Sequence, residues 1–205
     1  MELEEFVIRL REIIPKIFPR SRKIKTVEDG QRYQNELTSM QNDAIKGAIY
    51  ISGNDNRCCP RCWPLDGTVW GTNPTKRPLI PRHSGCRCCY VPKMKTWADF
   101  GFKNIPEYEH VERPFVLRGL LKSDGTVSLK GPRGGDASKK IISVVKSSGT
   151  MEDWIKTLQP QIQRQFFATE LAFQLWRSGK IKAFDLIDPD TYELRSDEEL
   201  SRLFT

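Results

Sequence analysis

Residues 57–89 read RCCPRCWPLDGTVWGTNPTKRPLIPRHSGCRCC, and they contain all six cysteines of the 205-residue chain and one of its two histidines. Between residues 57 and 110 the chain also has seven prolines and few apolar runs. Such a segment cannot offset the entropy cost of ordering by hydrophobic burial alone. We therefore predict that its cysteines hold it together, because small segments without a core rely on a metal or on disulfides.

The cysteines and the histidine follow the spacing of metal ligands. Two pairs of potential ligands lie about twenty residues apart, and two residues separate the members of each pair. Two ligands on one tight turn can reach one ion at about 2.3 Å each, and four ligands of type Cys3His close a tetrahedron. The sequence thus predicts one structural Zn²⁺ held by Cys59, Cys62, His83 and Cys86. Cys58 is the alternate for Cys59, and Cys88 is the alternate for Cys86.

The N-terminus bears on the redox surroundings of these thiols. Its sequence, MELEEFVIRLREIIPKIF, begins acidic and lacks a continuous apolar core ahead of a small-residue cleavage site, so we expect no secretory signal. No apolar run approaches the ~20 residues that cross a bilayer, so we expect no membrane contact. In a reducing cytosol, closely spaced cysteines bind metal more often than they form disulfides. Free buried thiols and one or two disulfides remain open as alternatives.

The positive charge of the chain is concentrated around the cysteines. Residues 57–103, here called the basic lobe, contain nine Lys or Arg and two acidic residues, which accounts for the whole formal net charge of +7. The rest of the chain has 24 residues of each sign. A basic lobe suits a polyanion or an acidic protein partner, with an ordinary solvated surface as the alternative.

The N-terminal part is predicted to be helical. An apolar stripe at helical spacing runs through residues 3–18. Its members are Leu3, Phe6, Val7, Leu10, Ile13, Ile14 and Ile17. Residues 27–49 also read as a helix, which SGNDN at 52–56 ends. Residues 1–52 are therefore predicted to be a helical arm that packs on other parts of the protein or on a partner.

The remaining chain predicts mixed structure. Residues 115–130 read as a β-hairpin with a two-residue turn at Asp124-Gly125. Helix starts are predicted at Thr150 and Ser196, a break at Pro160 and a stop at Gly179. The predicted fold class is α+β: the helical arm at 1–52, a small Pro-rich, zinc-stapled β-hairpin module at 53–110, and a β-hairpin with C-terminal helices at 111–205. The last two are predicted to pack as one domain.

Catalysis is the weaker prediction for the cysteine cluster. A nucleophilic cysteine beside His83 needs an orienting group and an oxyanion hole, and the sequence contains no motif for either. The deaminase pattern needs a His-x-Glu ahead of Pro-Cys-x-x-Cys, whereas here His83 follows the cysteines and has no adjacent glutamate. We therefore predict no catalytic residues, no small-molecule substrate and no enzyme activity.

Two stretches of the chain resemble a known family. NDNRCCPRCWPLDGTVW followed by PLIPRHSGCRCCYVP is similar to the Mu protein F-like head-morphogenesis family of tailed bacteriophages. The matching positions are Asp55, Arg57, Cys59, Cys62, Leu65, Asp66, Gly67, Pro81, His83, Cys86, Arg87, Cys88 and Pro92. A weaker match lies at Trp154, Gln159, Pro160, Gln163, Gly179 and Asp188. Together the stretches cover about 45–95 and 150–188.

This resemblance implies a structural minor head protein, with residues 53–205 forming the head-morphogenesis domain. It implies assembly into the virion at or near the portal vertex, with the portal or the major capsid protein as partner and possible non-specific contact with packaged DNA. The host cytoplasm is the place of assembly. The chain departs from the family in having only about 55 residues ahead of the cysteines, Cys58 where threonine is usual, and Ser84-Gly85 in place of Pro-Asn. The alternatives are a free-standing nucleic-acid-binding zinc module and a metal-dependent nuclease.

Overall fold

The structure is a computed structural model that describes residues 45–73, 76–103, 112–131 and 134–204. These residues form small β-sheets and four α-helices, which confirms the predicted α+β class. The strands are β1 (Ile45–Ile51), β2 (Val69–Trp70), β3 (Cys89–Met94), β4 (Arg113–Arg118), β5 (Leu120–Leu121), β6 (Val127–Ser128) and β7 (Ile141–Ser147). The α-helices are α1 (Met151–Lys156), α2 (Pro160–Gln163), α3 (Glu170–Arg177) and α4 (Asp197–Phe204).

The predicted helical arm falls mostly on residues 1–44, which lie outside the described residues. Its last part is wrong, because residues 45–49 belong to strand β1 and not to a helix. The sequence IKGAIYI is rich in β-branched and aromatic residues, which favour a pleated strand. Gly47 also lies so close to the Trp70 carbonyl that any side chain there would collide with it. Glycine therefore permits the close pairing of β1 with β2.

The chain divides into two compact units. Of the described residues, the first unit contains 45–49, 69–73, 76–86 and 90–103. Here β1 and β2 pair antiparallel through Ala48↔Trp70 and Ile49↔Val69. In the three-stranded sheet β1 lies between β2 and β3. The hairpin predicted for residues 53–110 is therefore wrong, since its two strands flank β1 and do not pair with each other.

A buried tyrosine organises the loop of the first unit. Tyr90 on β3 is fully buried, and its hydroxyl donates a hydrogen bond of 2.8 Å to the Pro78 carbonyl. The guanidinium of Arg77 lies 4.6 Å from the centre of the Tyr90 ring. Ile80 is also fully buried. The buried side chains of Tyr90, Arg77 and Ile80 give this Pro-rich segment a small core of its own.

The second unit contains, of the described residues, 50–68, 87–89, 112–131 and 134–204. Its hairpin is confirmed at β5 and β6, which pair through Leu120↔Ser128 and Leu121↔Val127. The two-residue turn is wrong: the Lys122 amide donates to the Thr126 carbonyl, which leaves a three-residue loop with Gly125 at φ 80°. Strand β4 pairs instead with β7, antiparallel through Phe115↔Val145.

The two helix starts, the break and the stop that the sequence predicts all occur in the structure. The Thr150 hydroxyl accepts from the Asp153 amide and the Asp153 carboxylate accepts from the Thr150 amide, a reciprocal capping box. Ser196 and Glu199 make the same reciprocal pair before α4. Helix α2 begins at Pro160, and Gly179 follows α3 at φ 75°. The helices bury an aromatic cluster, in which the Phe115 and Trp154 rings stack at 5.4 Å.

Candidate metal centre and the carboxylates that support it

The first ligand pair lies on a turn of the second unit, in which Cys62 is buried and Arg61 is exposed. The amides of Cys62 and Trp63 both donate to the Cys59 carbonyl, at 3.0 and 3.3 Å. Trp63 has no exposed surface, and its indole N–H donates to the Phe166 carbonyl at 2.7 Å. The Trp63 ring also packs edge-on against Phe167 at 5.1 Å. The position of Cys62 is therefore set by the aromatic core that follows it.

The second ligand pair forms a tight turn in the first unit. The Cys86 amide donates to the His83 carbonyl at 3.1 Å, and Gly85 supplies the positive φ of 72° that the turn requires. His83 Nδ1 lies 2.8 Å from the Ser84 carbonyl oxygen. A carbonyl oxygen only accepts, so this bond requires the proton on Nδ1. The lone pair is then on Nε2, the arrangement that binds a metal ion.

Two Cys/His groups can hold a metal ion. One consists of Cys59, Cys62 and His83, and the other consists of Cys62, Cys86 and Cys88. Within each group the potential ligand atoms lie within 4.8 Å of one another. Tetrahedral zinc–thiolate geometry requires sulfur atoms roughly 3.8 Å apart, so the spacing suits such an ion. Cys62 belongs to both groups, and all four predicted ligands occur in one group or the other.

Of the two alternate metal ligands, Cys88 belongs to one of these Cys/His groups and Cys58 belongs to neither. Cys88 is buried and belongs to the second group, whereas Cys58 and Cys89 belong to neither. Burial raises the pKa of the Cys58 thiol to about 12, so this thiol stays protonated at neutral pH. No disulfide joins any two of the six cysteines. Cys58 therefore behaves as a small apolar side chain of the second unit.

Asp66 is the central acceptor of the second unit. Its carboxylate has no exposed surface and pairs with Arg113. It also accepts from the amides of Ser52 and Met151, each at 2.7 Å. One side chain thus ties the end of β1 to β4 and to the first residue of α1. In the sequence Asp66 stands out only as a position of the family resemblance, so this role was missed.

The residue after Asp66 is Gly67, and the space around it has no room for a side chain. It has φ +79°, and a Cβ built there would lie 2.6 Å from Cγ2 of Thr150. Its amide donates to the Tyr50 carbonyl at 2.8 Å. A side chain would therefore push Thr150, the cap of α1, away from its position.

A second buried carboxylate, Asp55, binds two arginines. Arg57 and Arg87 both donate to its oxygens, with the shortest bond from each at 2.6 Å. Burial raises the pKa of the Asp55 carboxyl, but the hydrogen bonds from Arg87 and Arg57 outweigh it and bring the pKa to about 2. The sequence contained a signal for this network, because Asp55, Arg57 and Arg87 are all positions of the family resemblance.

Contacts within the protein reduce the positive charge that the basic lobe can offer to a partner. Arg57 and Arg87 pair with a carboxylate that lies just outside residues 57–103. Arg77 is buried beside Tyr90, and burial lowers its pKa. Three of the nine positive side chains therefore have internal roles, so the lobe presents less free charge than the sequence count indicates.

Comparison with models of protein families, with curated proteins and with solved structures finds no match to this chain. The resemblance to the head-morphogenesis family therefore stays a prediction. In the part of the chain that the structure describes, no helix has the length and apolar character needed to cross a membrane.

Proposed function

We propose that this protein is a structural minor head protein of a tailed bacteriophage, a non-enzymatic virion component that takes part in head morphogenesis and capsid assembly beside the portal. One observation carries the proposal. Five residues of the family resemblance, Asp55, Arg57, Asp66, Gly67 and Arg87, make contacts in the second unit that depend on their chemical identity. These contacts stabilise the fold, so the positions of the resemblance have a structural use, which supports the resemblance.

The metal centre in this proposal is a structural Zn²⁺. The four ligands of the proposed set are Cys59, Cys62, His83 and Cys86, with Cys88 as the alternate for Cys86. Four protein ligands leave no open position for substrate or water, which is typical of a structural zinc and not of a catalytic one. None of the six cysteines forms a disulfide, which agrees with metal binding in a reducing cytoplasm.

The partners in this proposal are the portal, the major capsid protein and the packaged DNA. The formal charge of +7 supports contact with a polyanion or with an acidic ring surface. It also supports the runner-up function, a free-standing zinc module that binds nucleic acid. The difference between the two is whether the protein enters particles.

The test is the protein content of particles produced from the genome that encodes this chain. We expect quantitative mass spectrometry of purified particles to find the protein in substoichiometric amount relative to the major capsid protein. A variant without residues 1–18, which lacks the predicted apolar stripe, should bind zinc but should not enter particles. Particles without the wild-type protein would overturn the head function, and unchanged entry of the truncated variant would overturn the role of the stripe.

A further inference from the structure

The Asp55 carboxylate is saturated with donors. It accepts five hydrogen bonds, which come from the amide, Nε and Nη2 of Arg57 and from Nη1 and Nη2 of Arg87. Their lengths lie between 2.6 and 3.0 Å. A carboxylate offers about four lone-pair sites. Two arginines are therefore enough to satisfy Asp55, whose side chain is only 5% exposed.

A third arginine is held beside this saturated acceptor. Arg118 Nε lies 3.4 Å from Oδ2 of Asp55, and it is buried without a hydrogen-bond acceptor. The side chain of Asn56 holds the backbone of Arg118 in place, because it accepts a hydrogen bond from the Arg118 amide at 2.8 Å and donates one to the Arg118 carbonyl at 2.9 Å. A buried donor without an acceptor is costly to a fold. Arg118 Nε therefore has an ion-pair neighbour but no acceptor of its own, while the Arg118 side chain as a whole is 25% exposed.

The three guanidinium groups also leave an excess of positive charge that reaches the surface. Three cations surround one buried anion, and the side chains of Arg57, Arg87 and Arg118 are 35%, 40% and 25% exposed. Gly53 lets Arg87 lie flat against the backbone, since a Cβ there would lie 3.0 Å from its Nη2. The pKa of the exposed Asp136 carboxyl is lowered by hydrogen bonds from Ser138 in its own loop and, as a smaller cause, by the charge of Arg57.

We propose that Arg57, Arg87 and Arg118, held in place by Asp55, form a binding site for a phosphate group, and that its occupant is the phosphodiester backbone of DNA. Guanidinium groups present paired N–H donors that match phosphate oxygens, and a carboxylate that fixes their positions reduces the entropy cost of binding. The choice of DNA as the occupant rests on the proposed place of the protein beside packaged DNA. The phosphate site itself does not depend on it.

The test compares two variants that remove the same charge. Arg118→Gln removes no hydrogen bond to Asp55, and Arg202→Gln changes an exposed residue of α4. Purified protein is titrated with a fluorescent 20-base-pair duplex at several salt concentrations, and separately with inorganic phosphate. We expect Arg118→Gln to weaken duplex binding about tenfold or more, as loss of a charged hydrogen bond does. The salt slope should fall by about one, and Arg202→Gln should have little effect on affinity.

Several outcomes would overturn the proposal. Equal losses for Arg118→Gln and Arg202→Gln would mean diffuse attraction and no defined site. Binding of inorganic phosphate without the duplex, or binding of a poly-glutamate peptide with the same dependence on Arg118, would exclude DNA as the occupant. If Arg118→Gln does not fold, Arg118→Met keeps the apolar stem of the side chain and removes its charge and its donors, so wild-type affinity in that variant would exclude the site. Because purified protein is used, these results are independent of whether particles contain the chain.

Discussion

Asp66→Ala tests whether one buried carboxylate holds the second unit together. The change removes the partner of Arg113, whose side chain is 15% exposed, and the acceptor of the Ser52 and Met151 amides. Breaking a buried ion pair costs about 3–5 kcal/mol. Each buried amide left without an acceptor costs about 1–3 kcal/mol more. Because local relaxation satisfies part of these groups, we expect a loss of about 4–6 kcal/mol in the free energy of unfolding.

The assay is urea unfolding followed by tryptophan fluorescence, because Trp63, Trp154 and Trp176 are buried in the same unit. With a urea dependence of roughly 2–3 kcal/mol/M, the midpoint should fall by about 2 M. The control is Asp99→Ala, which removes an exposed carboxylate that pairs with Lys46 in the other unit. It should leave this transition nearly unchanged. Equal midpoints for the two variants would refute the role of Asp66.

A double variant separates the contribution of the Asp66–Arg113 ion pair from that of the backbone hydrogen bonds to Asp66. Asp66→Asn keeps one oxygen acceptor, for either the Ser52 or the Met151 amide, and leaves Arg113 without a counter-ion. Adding Arg113→Gln removes that charge, so the double variant should be more stable than the sum of the single losses predicts. Strictly additive losses would show that the ion pair contributes little and that the backbone contacts dominate.

Three further predictions concern the metal, the acid stability and the backbone. Protein purified without added metal should contain about one zinc per chain. Cys62→Ser should lower the zinc content and the Tm, whereas Cys89→Ser should change neither. Zinc-free wild-type protein would contradict the metal centre. The pKa of Asp55 falls from 3.8 to about 2 on folding, so its contribution of about 2 kcal/mol should be present above pH 4 and be lost between about pH 4 and pH 2. The stability difference between wild type and Asp55→Asn should shrink over that range, and a constant difference would exclude this linkage. Gly67→Ala should cost about 1–3 kcal/mol in the free energy of unfolding, and Thr150→Ser should relieve part of that cost by removing the methyl group at 2.6 Å. If Thr150→Ser gives no relief, the collision is not the cause.

The secondary structure was predictable where its signals are local. The reciprocal caps at Thr150 and Ser196, and the stop at Gly179, depend on residues within a few positions of each other, and all three are confirmed. The helix predicted through residue 49 is wrong because pairing with β2 and β3 outweighs a weak helical periodicity. Strand β7 reads IISVVKS, whose β-branched residues are a local strand signal that was missed, and its pairing with β4 sets its register.

The sequence by itself determined the chemistry that the candidate metal centre can use. Residue types and spacing are enough to predict two ligand pairs, since two ligands on one short turn are close together in almost any fold. Only the tertiary structure decided which other residues matter. Asp66 meets Met151 across 85 positions, and Asp55 meets Arg87 across 32 positions and Arg118 across 63. Contacts over such separations depend on how the chain packs, and no local pattern specifies them. The same packing excludes Cys58 from both metal groups. It also pairs Arg57 and Arg87 with the buried Asp55 carboxylate, because an unpaired charge is far more costly when buried than in water.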